Sequence, residues 1–138
     1  MAAWGVLLLL SLNNCGGTET ACDSSGARTF VVKIISDNDS NALVNYAIKN
    51  SSSVAALMEN ANTEAEKLAV WDNARQGAIY RLDDTIRTNS RDWKTGATSC
   101  SGLLSVTVGD TTAQKQVDFN VEPARDGEIS VSVTPFLF

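Results

Sequence analysis

Three cysteines, sixteen side-chain carboxylates and eleven basic side chains are spread over 138 residues that contain no histidine. Without an imidazole, a Ser/His/Asp or Cys/His nucleophile has no base and a His-based zinc site has no ligand. Nor does any side chain have an unperturbed pKa near neutrality. Two acidic groupings have spacings that call for a test. Asp37 to Asn41 (DNDSN) opens like an EF-hand calcium loop, which needs glycine at its sixth position to turn the chain and glutamate at its twelfth for bidentate coordination. Ala42 and Ile48 stand there instead, so the segment reads as a turn in which Asp39 or Ser40 caps the next helix. Asp83 and Asp84, with Arg81 and Arg87 close by, are candidates for acid–base work. Adjacent residues of a strand point to opposite faces, however, so the two aspartates do not form one inward carboxylate pair. No metal, cofactor or catalytic set is expected. Trp93, between Arg91, Asp92 and Lys94, suits recognition, because tryptophan buries a large area and keeps a donor. Its competing role is to fold back over the end of the core.

The cysteines carry the rest of the chemistry. Trp4 to Leu12 is an apolar run of nine residues, well short of the ~20 that a membrane-spanning helix needs and suited to a secretory h-region. It is followed by Asn13, Asn14, Cys15, Gly16 and Gly17. A cysteine just beyond an h-region, with leucine three positions earlier, resembles the lipobox of bacterial lipoproteins. The resemblance implies that residues 1–14 are a signal peptide and that Cys15 is the lipid attachment site. Gly16 and Gly17 lack the aspartate that retains such proteins at the inner membrane, which implies a periplasmic protein tethered to the outer membrane. An ordinary cleaved signal with a structural Cys15 is the other reading. Lipidation of Cys15 would leave Cys22 and Cys100 as an even pair, free to bond in an oxidising compartment. Such a bridge restricts the unfolded chain by about 4 kcal/mol on the loop-entropy model. Two buried free thiols is the alternative.

These residues need elements to position them. Residues 15–26 are small and polar, as in a tether, and residues 27–138 hold a single domain. Ala27 to Ile35 (ARTFVVKII) fits two periods. Ala27, Phe30, Val31, Ile34 and Ile35 have helical spacing, while Phe30, Val32 and Ile34 alternate as in a strand. Ser24 and Ser25 are good N-caps, and helix is preferred. Helices are also expected over Ala42 to Lys49, over Val54 to Glu59, and from about 64 to 76. The last is opened by the capping-box spacing of Thr63 and Glu66, carries an apolar face of Ala65, Leu68, Ala69 and Trp71, and stops at Gly77.

Beyond Gly77 the apolar period shortens to two. Tyr80, Leu82 and Ile86 mark a first strand, and Cys100, Leu104, Val106 and Val108 a second. Val117, Phe119 and Val121 mark a third, and Ile129, Val131 and Val133 a fourth. Asp126-Gly127 has the composition of a tight hairpin turn, and Gly109-Asp110 opens a looser one. One sheet face is apolar and the other rich in Ser and Thr. The expected fold class is therefore α+β, with N-terminal helices packed on one face of a four-stranded antiparallel meander. Cys100 would point inward to meet Cys22 at the start of the first helix.

The exported N-terminus, the early cysteine, the helices and the segments TGATSCSGLLSVTV (95–108), VDFNVEP (117–123) and DGEISVSV (126–133) together resemble small bacterial envelope lipoproteins with cystatin-like or NTF2-like domains. That resemblance implies fold and location. The expected function is a lipid-anchored, non-catalytic protein-binding module of accessory, inhibitor or immunity type, with an envelope protein as partner. The alternative is a small-ligand-binding or enzymatic domain using the concave sheet face. The net charge of −5 speaks against nucleic acid, whose phosphates are bound mainly by Lys and Arg.

Overall fold

The structure, a computed structural model, describes residues 21–38 and 41–134. Cys15 and the signal segment lie outside the described residues, as do Asp39 and Ser40. Helix α1 (Ser25–Asp37) starts where the Ser24 side chain accepts a hydrogen bond from the Ala27 N–H at 3.1 Å. Ala27, Val31 and Ile35 form its buried stripe, so the helical period of this segment prevails over its strand-like alternation. Phe30 and Ile34, expected on the same face, flank the stripe and keep 43% and 39% of their surface in solvent.

Helix α2 (Ala42–Asn50) is capped by Asn41 rather than by Asp39 or Ser40. The Asn41 side-chain oxygen accepts from the Val44 N–H at 2.8 Å. Its amide nitrogen lies within donating distance of the Asn38 and Ile35 carbonyls and of the Tyr80 hydroxyl. The buried Asn41 therefore ends α1, begins α2 and ties both to the sheet, a combination that neither neighbour's position offers. Helix α3 (Ser52–Glu59) follows at once, capped by Ser51 and burying only Val54. Helix α4 (Glu64–Gln76) has the expected bounds and cap. Thr63 Oγ1 accepts from the Glu66 N–H, while the Glu66 carboxylate accepts from the N–H of Asn62, one residue ahead of the cap. Its contact face is corrected. Leu68 is 64% exposed and Ala65 and Ala69 are exposed too, whereas Trp71 packs against the core as expected, half-buried and joined there by Val70 and Ala74. The helix packs chiefly on α2 and α3, with its last turns beside Val108 and Gly109, and that side contact shifts the buried face.

Strands β1 (Ile79–Arg91), β2 (Thr98–Val108), β3 (Thr111–Pro123) and β4 (Ile129–Val133) form one antiparallel sheet in the order β1-β2-β3-β4. The described residues thus make an α+β fold of four helices and a four-stranded meander. Helix α1 touches both edge strands and α2 touches the two central ones. Leu104, Val106, Val117, Phe119 and Val121 are buried beneath them with Leu43, Val44 and Ile48.

The two turns exchange their expected roles. Val108 pairs with Thr111, so Gly109-Asp110 is a two-residue turn, with Gly109 at φ 56°. Glycine in the first place of such a loop supplies the backbone that L-residues avoid. Asp126-Gly127 sits instead in the wider connection between paired Pro123 and Ile129, which contains a 3-10 turn (Arg125–Gly127). Cys22 and Cys100 are joined in a disulfide, with Cα atoms 5.7 Å apart. It fastens the approach to α1 onto β2, as their inward placement led one to expect.

Candidate recognition surface

The helices leave one face of the sheet uncovered, and that face is polar by alternation. Outward residues of β2 meet outward residues of β3 in register and bond across the strands. Ser99 donates to Asn120 at 2.9 Å, Gln114 to Ser105 at 3.2 Å, and the hydroxyls of Thr107 and Thr112 lie 2.9 Å apart. Ser101 is the centre of this row. Although it faces outward, only 4% of it is exposed, because Asn89 donates to its hydroxyl at 2.6 Å and the hydroxyl donates to Asp118 at 2.8 Å. Gln116 also donates to Asp118.

Strand β1 gives the face its relief. Leu82 pairs with Leu104 and Ile86 with Gly102, so residues 83–85 stand opposite Leu103 alone. A bulge of this kind bends the strand and frees carbonyls from the ladder. Arg28 of α1 collects them, donating to Leu82 O at 2.8 Å and to Asp83 O at 3.1 Å. The same guanidinium pairs with Asp84 at 3.2 Å, and Arg81 stands 3.9 Å from that carboxylate. Asp83 turns the other way. It lines a shallow depression of about 230 Å³ on the open face with Arg87, Leu103 and Gln116, and its carboxylate accepts from the Asp84 N–H at 2.8 Å. The two aspartates are thus divided between opposite sides of β1. Arg81 goes with Asp84 and Arg87 with Asp83.

Arg91, Trp93 and Lys94 are brought together on the β1–β2 hairpin and are all exposed. Trp93, at 89% exposure, does not fold back over the core. The loop under it is tightly bonded. Asp92 N–H donates to Ala97 O, Gly96 N–H donates to Asp92 O, and the Asp92 carboxylate accepts from the Lys94 N–H, each at 2.8 Å. This tip lies beyond the end of the sheet, apart from the depression at the bulge.

A third polar cluster joins the opposite end of the sheet to α3. The Asp110 carboxylate accepts from the Ser52 hydroxyl, from the Ser51 hydroxyl at 2.8 Å, and from the Ser53 N–H and hydroxyl at 3.3 and 3.2 Å. These bonds, those from Ser52 and Ser51 first, hold its pKa well below the usual carboxylate range. Arg28, the Ser101 group and this serine cradle are absent from the expectations drawn above. The Ser/Thr alternation of β2 is the visible trace of the Ser101 group, while Arg28 and the cradle leave none, since their partners lie far along the chain, 55 residues from Arg28 and 59 from Ser51. Among the described residues, no group of three or more Cys, Asp or Glu side chains is placed to hold a metal ion, and no helix is long and apolar enough to cross a membrane.

Comparison of the chain with protein-family models, with curated proteins and with solved structures gave no match in any of the three.

Proposed function

We propose that this is an exported, lipid-anchored envelope protein that binds another protein through the open face of its sheet. Acylated Cys15 holds it to the periplasmic side of the outer membrane, and its domain has the cystatin-like or NTF2-like layout. The observation that carries the binding role is the uncovered β1–β3 face. Its side chains are mutually hydrogen-bonded around Ser101, which leaves a firm polar surface with Leu103 as an apolar point. Arg87 and Asp83 beside it offer a charge of each sign to a partner.

An enzyme or small-ligand carrier on the concave face is less well supported. That side is packed with Leu104, Val106, Val117 and Phe119, all at or below 1% exposure, which leaves a ligand little room there.

A photo-crosslinking residue placed at Gln116, and separately at Lys33 on the helical side, tests the reading in intact cells. One discrete adduct is expected from Gln116 and none from Lys33, and Leu103→Arg should abolish the adduct while leaving the fold intact. Equal labelling from both positions, or an adduct indifferent to Leu103→Arg, would remove the open face from consideration.

A further inference from the structure

The end of the sheet that carries Trp93 also receives the leading segment of the chain. Thr98 opens β2 and pairs with Arg91, and Cys100 follows two residues later. The disulfide therefore sets Cys22 at the base of the hairpin that ends in Trp93. Thr88, on the strand entering that hairpin, donates to Cys22 Sγ at 3.3 Å. Cys15 is seven residues before Cys22, and a chain advances at most ~3.6 Å per residue, so Cys15 lies within ~25 Å of this corner. The Gly109-Asp110 turn is at the far end of β2, more than ~25 Å beyond Cys100 at ~3.4 Å per residue.

We propose that Trp93 is a second point of membrane contact, its indole seated in the headgroup region of the lipid surface to which Cys15 is anchored. The inference rests on the lipid-anchor reading above. An indole has an apolar body and one donor, the combination that partitions to the bilayer–water boundary. Its loop is fixed by three 2.8 Å bonds, so little ordering remains to be done on contact.

Charge does not drive the contact. Arg91, Lys94 and Arg125 at this end are accompanied by Asp23, Asp92, Glu122 and Glu128, and Pro123, at the foot of the neighbouring loop, lies close against Gly96. The lipid addressed is consequently zwitterionic, and the contact survives salt. Two points of attachment on one end hold the strands upright and turn the open face sideways, clear of the bilayer.

The test uses the mature protein extracted from membranes and reconstituted in phosphatidylcholine vesicles that carry a shallow spin-labelled lipid. Cleavage removes Trp4 and leaves two tryptophans. Trp71 is the internal reference, because α4 packs beside Val108 and Gly109 at the other end. The quencher should remove the Trp93 share of the emission equally at low and high salt, and Trp93→Ala should lose that share with its folding unchanged. Acylated protein whose emission ignores the quencher, or whose quenched share persists in Trp93→Ala, overturns the inference alone. An intact mass without acyl chains overturns the anchor reading and this inference with it.

Discussion

Asp110 is exposed, yet three consecutive serines aim donors at its carboxylate and hold its pKa well below the usual range. A carboxylate with a depressed folded-state pKa contributes stability above its unfolded value of about 4 and loses that contribution as the pH falls further. Asp110→Asn should therefore lower the urea midpoint at pH 7, and the gap from the parent protein should narrow progressively as the pH falls below about 4. A gap that stays constant into acid would show that the serines do not act through the charge. Phe119 gives the contrasting case of an apolar residue with 1% exposure, paired between Cys100 and Val133. Phe119→Ala should cost about 3–5 kcal/mol in urea unfolding at every pH at which the protein folds. The core position was readable in the sequence, because Val117, Phe119 and Val121 alternate. The serine cradle was not, since Ser52 and Asp110 are 58 residues apart and neither has a local pattern that names the other.

Elements were legible wherever their signals are local. Thr63, Glu66 and Gly77 mark the two ends of α4 within a few residues of each other, and the period-two runs locate all four strands. Structure and local signal part where a distant partner decides. The apolar side of α4 is chosen by α2 and α3. The bulge in β1 exists where Arg28, some 55 residues earlier, can satisfy carbonyls that the ladder gives up. The turns were exchanged because composition alone suggested Asp-Gly for the tight one, whereas register allots two residues to Gly109-Asp110 and places Gly109 at a positive φ. That assignment is open to a direct check. In Gly109→Ala the new methyl would meet Ser53 Oγ and the backbone would resist its φ, so the loss should exceed about 1 kcal/mol in urea unfolding. Gly127 also has a positive φ, 77°, but an added Cβ there meets nothing within 4 Å, so Gly127→Ala should be the milder change. Equal losses at the two sites would remove the close approach of Ser53 from the account.

The whole molecule divides unevenly about its disulfide. The 78-residue separation of Cys22 and Cys100 encloses all four helices and β1 in one covalent ring, with most of β2 and the whole of β3 and β4 outside it. A pull on the leading segment therefore bypasses the helices. Tension entering at residue 21 crosses the sulfur bridge into the second strand of the sheet and loads the β2–β3 ladder, while α1 to α4 bear almost none of it. Stretched between residues 21 and 134 in a force spectrometer, the oxidised protein should extend about 280 Å less than the reduced one, at ~3.6 Å for each residue the ring withholds. Equal extensions would mean that the ring is not closed. Any pull that enters at residue 21 thereby leaves the helical half out of the line of force.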